Sequence, residues 1–195
     1  EYTVIATSAS NCVSFPKTVT VSESIIATIT QDDITITDDS DNNTITINNQ
    51  NNNLGIGDYE FALDNMYGPY QDESVFNNVA AGIHTIYVQD KNNCGIASIE
   101  VSVIGFPKFF TPNNDGFNDA WQVKGVSANF YTTSLIYIFD RFGKLITTVD
   151  PTSDGWNGLY NNEQLPPTDY WFTAQLIDND GNIREKKGHF SLIRK

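Results

Sequence analysis

DYWFTAQLIDNDGNIREKKGHFSLIRK, Asp169–Lys195, reads as two strands around one turn. The turn is Asn179–Gly181, and Asp180-Gly181 within it is one of the strongest short hairpin signals. In the first strand Phe172, Ala174 and Leu176 alternate with Trp171, Thr173 and Gln175. Period-two alternation turns the first set toward a core and the second toward solvent. Upstream, SLIYIFD and KLITTVD flank Arg141–Gly143 as a second hairpin, with Gly143 supplying positive φ. SDGWNGLYNNEQLPP between the hairpins reads as a long Gly/Pro/Asn loop, and AWQV (Ala120–Val123) as a short strand. Further upstream, ITITD and TITIN alternate strictly, as do DYEFALD, TIYVQD and IEVSV. Tyr59, Phe61 and Leu63 then share one face, as do Ile86 with Val88, and Ile99 with Val101 and Val103. No segment has helical periodicity. The expected fold is all-β: tandem antiparallel β-sandwich domains, immunoglobulin-like in architecture only, since no Cys–Trp–Cys signature is present.

The 195 residues suffice for one large domain or two of about 100 residues. Net charge is −13, unevenly spread. Residues 1–104 hold two basic and fourteen acidic side chains, and residues 105–195 hold nine and ten. An acidic front half excludes nucleic acid, whose binding rests on cations neutralising phosphates. The longest apolar runs, such as LIYIF, are too short to span a bilayer. EYTVIATSASN at the N-terminus lacks a basic start and an apolar core, so it is not a signal peptide, and it reads like the middle of a strand.

Cys12 and Cys94 lie 82 residues apart, and at that offset YTVIATSASNC aligns with HTIYVQDKNNC and KTVTVS with IEVSVI. Each copy reads strand, Asn-rich turn ending in Cys, alternating strand. The expected organisation is residues 1–24 as the closing hairpin of a preceding Ig-like repeat, 25–104 as one complete repeat, and 105–195 as a separate β-sandwich. Equivalent cysteines of neighbouring repeats would stand too far apart for a disulfide. NNQNNN (Asn48–Asn53) reads as a solvated connection.

FTPNNDGFND, Phe110–Asp119, opens the last domain. Asn113, Asp115 and Asp119 offer hard oxygen ligands, so calcium is one reading. The EF-hand register fails, because Thr111 and Gln122 fall where carboxylates are needed. The other reading is structural, with Asn and Asp side chains capping backbone amides. Asp38, Asp39 and Asp41 form either a cation site or an exposed acidic turn. Trp156 reads as a corner plug beside Gly155, and outward Trp171 as a contact residue. Arg194 and Lys195, with Arg184, Lys186 and Lys187 nearby, read either as solvated charge or as a basic strand-like tail that meets an acidic or edge-exposing receptor. His84 and His189 sit in strand patterns, and no nucleophile, metal-hydrolase or phosphate-loop motif appears, so an enzyme is not expected.

FTPNNDGFND, IYIFDRFGKLI (Ile136–Ile146), GWNG…LPPTDYWF (Gly155–Phe172) and GHFSLIRK (Gly188–Lys195) together resemble the gliding motility-associated C-terminal domain, the type B sorting domain of type IX secretion cargo. The resemblance covers Phe106–Lys195. Asp140 stands where the family usually has Asn, Phe142 where it has Trp, and Thr168 where Gly is frequent. Pro112, Gly116, Arg141, Gly143, Trp156, Gly158 and Gly188 fall on the family's structural motifs. The resemblance implies a secreted or cell-surface protein, adhesin-like and associated with the outer membrane of a Bacteroidetes-type bacterium. It also implies as partners the translocon and a PorP/SprF-like outer-membrane protein. Expected partner contacts are Asn113, Asn114, Asp115, Asp119, Trp171, Arg194 and Lys195. A second expectation is a carbohydrate- or surface-binding module at residues 25–104, using Tyr59, Tyr67, Tyr70 and the Asp-rich turns.

Overall fold

The computed structural model describes residues 1–132 and 134–194. The chain opens on a hairpin of β1 (Tyr2–Val4) and β2 (Lys17–Val19), with every residue of both strands exposed. β3 (Ile34–Thr37), β4 (Thr44–Ile47), β5 (Tyr59–Leu63), β6 (Val75–Phe76), β7 (Gly82–Asp90) and β8 (Ile96–Val103) follow. They form two three-stranded antiparallel sheets, β3-β4-β6 and β5-β7-β8. The alternating residues expected inside do meet there: Ile45, Ile47, Phe61, Ile86, Val88, Val101 and Val103 pack into one core, with Ile34, Ile36, Leu63 and Ile99 against it. Each fully buried aliphatic side chain contributes about 1.5–3 kcal/mol. NNQNNN forms an exposed turn around Gln50–Asn52, in which Asn51 and Asn52 take positive φ.

The two hairpins of the 82-residue alignment share a register. Tyr2 pairs with Val19 and His84 with Val101, and both turns place an Asn in the left-handed region, Asn11 at φ 61° and Asn93 at φ 63°. The registers diverge only next to the turns, at the Thr7–Val13 bridge. Both cysteines are free.

No linker separates this sandwich from the next. Val103 is fully buried in the first core, and Ile104 is fully buried in a second. Adjacent residues of an extended chain point to opposite sides, so one peptide bond serves both. The second unit is built on β9 (Phe109–Phe110), β10 (Leu135–Phe139), β11 (Leu145–Val149), β12 (Leu159–Tyr160), β13 (Glu163–Gln164), β14 (Asp169–Ile177) and β15 (Ile183–Leu192). Five strands make one sheet in the order β11-β10-β14-β15-β9, antiparallel except for the two-residue parallel pairing of β15 with β9. Both expected hairpins form, and they are built alike. Asp140 Oδ1 accepts from the Phe142 and Lys144 amides, and Asp178 Oδ1 from those of Asp180 and Asn182.

The inner face of this sheet is covered by a mostly irregular layer. AWQV, expected as a strand, contributes one bridge, Trp121 to Trp156, and Lys124 just after it bridges Gly105. Gly125, at φ 82°, turns the chain before a ladder can propagate. Instead Trp121 delivers its ring: it stacks on Phe190 at 4.1 Å between centroids and donates its indole N–H to the Pro107 carbonyl. Trp156 plugs the corner as expected, edge-on to Tyr170 at 5.0 Å, with its N–H on the Leu159 carbonyl. The long loop holds a short ribbon, β12–β13, whose turn residues Asn161 and Asn162 both have positive φ.

Candidate docking surface

The loop after β9 folds onto its own carboxylates. Asp119 Oδ1 accepts from the Asn113 and Asn114 amides at 2.9 and 2.6 Å, and Oδ2 from the Gly116 amide at 2.8 Å. Asp115 Oδ1 accepts from the Phe117 amide, and its Oδ2 from the Asn113 side-chain amide. The oxygens that calcium would use are turned onto N–H donors, which rigidify the loop. No cluster of three or more His, Cys, Asp or Glu able to hold a metal is found among the described residues. Pro112 and Gly116 lie in this loop, and Phe117 stands out at its tip, 76% exposed.

β14 alternates as expected: Phe172, Ala174 and Leu176 are buried, and Trp171 is 41% exposed. On the outer face, register places Phe139, Trp171 and His189 in one row across β10, β14 and β15, and Tyr137, Thr173 and Lys187 in the next. The Trp171 and His189 rings lie 6.1 Å apart. Arg141 and Gly143, in the β10–β11 turn, border the same shallow groove. Gly188 faces Phe172 across the sheet, where a Cβ would stand 2.9 Å from the ring.

The basic tail has other occupations. The Arg194 guanidinium donates to the carbonyls of Leu165 and Gly158, both at 3.2 Å, tying the chain end to the long loop. Gly158 permits this: a Cβ there would lie 2.5 Å from Leu192 Cδ1 and 3.0 Å from Arg194 Nη2, at a φ of +79°. Lys195 lies outside the described residues. The 111–119 loop leaves the sheet at its β9 edge, whereas Trp171 belongs to β14 and Arg141 and Gly143 to the turn beyond β10. The structure therefore brings Trp171 together with Arg141, Gly143 and Gly188 and not with the 111–119 loop or Arg194.

The acidic turn of the first unit does gather cations, and they come from this chain. Arg184 binds Asp38 through both nitrogens, at 2.9 and 2.7 Å, while Asp38 Oδ2 also accepts from the Ile104 amide. Lys186 pairs with Asp39, and Lys108 lies 3.7 Å from Asp41. The carboxylate beside Arg184 raises its pKa further above the ordinary guanidinium value. The exposed acidic turn is thus corrected for two of its three carboxylates: the Asp38 and Asp39 side chains are only 12% and 19% exposed, because β15 covers them, whereas Asp41 is fully exposed. The excess negative charge of residues 1–104 hinted at such a partner but did not locate it.

The stacking residues expected on the first unit also need correction. Tyr59 is 6% exposed, its hydroxyl held by the Ile25 carbonyl, so it is a core residue. Tyr70 donates to the Met66 carbonyl, and Tyr67 stands exposed. His84 is held between Asp64 and the Ala80 carbonyl. No helix among the described residues is long and apolar enough to cross a membrane.

Residues 104–192 match the family model of the CHU_C type IX secretion signal domain. Among curated proteins, Colossin-B of Dictyostelium discoideum is 27% identical over 118 residues, 55% of this chain, and the chain spans 3% of its length. Among solved structures, the BSP domain of a biofilm-associated protein aligns over 83% of this chain and 29% of its own, at 16% identity and a TM-score of 0.28. Dimeric latent PorU from Porphyromonas gingivalis aligns over 79% and 18%, at 13% identity and 0.29. Chicken CNTN1 FN1-FN3 aligns over 98% and 76%, at 12% identity and 0.24. Superpositions this loose carry nothing about activity or partners. The family match begins at Ile104 and ends at Leu192, the first and last buried residues of the second core. Residues 104–192 are a CHU_C type IX secretion signal domain, the sorting region of a secreted protein.

Proposed function

We propose that this chain is a non-enzymatic segment of a cell-surface adhesin whose last domain is read, as a folded shape, by the type IX outer-membrane machinery. A PorP/SprF-like outer-membrane protein is the receptor on this reading, and a gliding-type surface protein the cargo. The observation that carries the reading is the coincidence of the signal segment with one complete hydrophobic core. A signal that coincides with a core needs its fold to be recognised, and folded recognition uses rigid anchors and fixed charges. Residues 25–104 act as a structural repeat. Residues 1–24 act as the closing hairpin of an earlier repeat, supported by the shared register at offset 82 and by side chains such as Phe15 and Val21, which are 96% and 66% exposed.

The test is export. Residues 1–195 are placed behind a signal peptide and a fluorescent reporter in a type IX-competent host, beside a version ending at Val103. The longer fusion reaches the surface, and the shorter one stays in the periplasm. Periplasmic retention of both overturns the reading.

A further inference from the structure

Four cations of the second unit are already engaged. Lys108, Arg184 and Lys186 face the acidic turn, and Arg194 is held by two carbonyls. Arg141, Lys144 and Lys187 make no ion pair among the described residues, and they stand together. Arg141 lies 4.8 Å over the Phe142 ring and Lys144 4.7 Å over the Tyr160 ring. The Asp140–Arg141 turn forms a ridge between two depressions. On one side a cavity of about 400 Å³ is walled by Phe142, Ile146, Tyr160, Leu165, Pro166 and Tyr170. On the other, a shallower groove runs past Trp171, Lys187 and His189. Asp140 also lies in the ridge, with Oδ1 held by the turn amides, so three cations stand against one carboxylate and the local charge is positive.

We propose that this ridge and its two flanking depressions bind an extended, acidic protein segment that carries apolar anchor residues. The biological role of the site rests on the export reading above; the binding itself does not. An apolar side chain of the partner fills the proline- and tyrosine-walled cavity, a second lies along Trp171, and carboxylates between them meet Arg141, Lys144 and Lys187. Charge-assisted hydrogen bonds from an Arg fork onto a carboxylate are the strong kind, and the aromatic neighbours exclude water from them. A polyanion such as nucleic acid or a sulfated glycan fits less well. The whole chain carries −13 and repels a long polyanion, whereas a segment with a few carboxylates meets mainly the local positive field. The cavity walls are also mostly hydrocarbon, suited to an apolar side chain rather than to sugar hydroxyls.

Isotope-labelled residues 1–195 are titrated with the capped peptide DFDELD, with its all-lysine counterpart KFKKLK, and with a heparin-derived hexasaccharide. The acidic peptide shifts amides at 139–144, 160, 165, 168–170 and 187–189, saturably and with millimolar affinity. Arg141→Glu with Lys187→Glu weakens it about tenfold, as reversal of contacting charges does. Lys17→Glu with Lys124→Glu, the same change in net charge made elsewhere, leaves it unaltered. Absence of saturable shifts, equal binding of the lysine peptide, equal weakening by the control pair, or binding of the hexasaccharide alone overturns the proposal. In the export assay the Arg141→Glu, Lys187→Glu fusion stays in the periplasm while the control pair is delivered. Delivery of both sinks the site's role in export and leaves the export reading standing; failure of the unmodified fusion sinks the export reading, and the titration decides the binding in either case.

Discussion

Asp38→Ala changes a residue of the first unit, yet its effect should appear in the second. Its carboxylate is 12% exposed and takes both Arg184 nitrogens, while the Arg184 side chain is 39% exposed. Breaking a fully buried pair costs about 3–5 kcal/mol, and an exposed pair contributes about 0–1. With one buried and one half-exposed partner, a coupling of about 1–2 kcal/mol is expected. All three tryptophans, Trp121, Trp156 and Trp171, lie in the second unit, so Trp emission reports its unfolding alone. With a urea dependence of about 1 kcal/mol/M for a unit of this size, the Trp-detected midpoint falls by roughly 1–2 M. Arg184→Ala produces a similar fall, and the double variant little more. The cycle removes effects private to one side chain, such as loss of the acceptor for the Ile104 amide. A Trp-detected midpoint unchanged by Asp38→Ala, or a coupling under about 0.3 kcal/mol, would refute the account of the joint.

Gly158→Ala combines a clash with Leu192 and a left-handed backbone, so the Trp-detected stability falls by about 1–3 kcal/mol, measured by urea denaturation. Asp90 is fully buried, and its carboxyl is pushed down to about 2, chiefly by the Ser24 hydroxyl and then by the Cys94 and Asn92 donors, against its desolvation. A depressed carboxylate stabilises the fold above its unfolded pKa near 4, and that gain is lost as pH falls from there to about 2. Carbon-detected NMR titration should place the Asp90 midpoint at the low end of this window, and Ser24→Ala should move it upward. Asp90 also raises the pKa of the Cys94 thiol, which donates to the Ser24 carbonyl. Iodoacetamide at neutral pH should therefore alkylate Cys12 before Cys94, read by peptide mass spectrometry.

Where the fold is set by neighbours in sequence, the sequence was informative. Alternation in YWFTAQLI oriented β14, and Asp/Gly turns placed both long hairpins, because each signal lies within a few residues of what it controls. The covering layer was less legible. Trp121 and Trp156 pair their backbones for one bridge only, and a bridge has no periodicity to detect. The β12–β13 ribbon could have been found from Asn161-Asn162, since Asn tolerates positive φ at both turn positions. The contact of Arg184 with Asp38 joins residues 146 apart, and nothing local marks either. The burial of Tyr59 is legible too, because its phase in the alternating strand is that of Phe61 and points inward rather than to a surface. The Arg194 ties required knowing that the chain end passes the Gly158 corner.

The passage from Val103 to Ile104 has a mechanical consequence. On the proposed adhesin role the chain is tugged lengthwise by whatever it grips, and most multidomain chains first absorb such a pull by straightening their linkers. Here there is no slack to take up. Tension arriving along β8 crosses a single peptide bond and acts at once on a side chain locked in the next core. The two units should therefore respond to stretching as one stiff body until one of them ruptures.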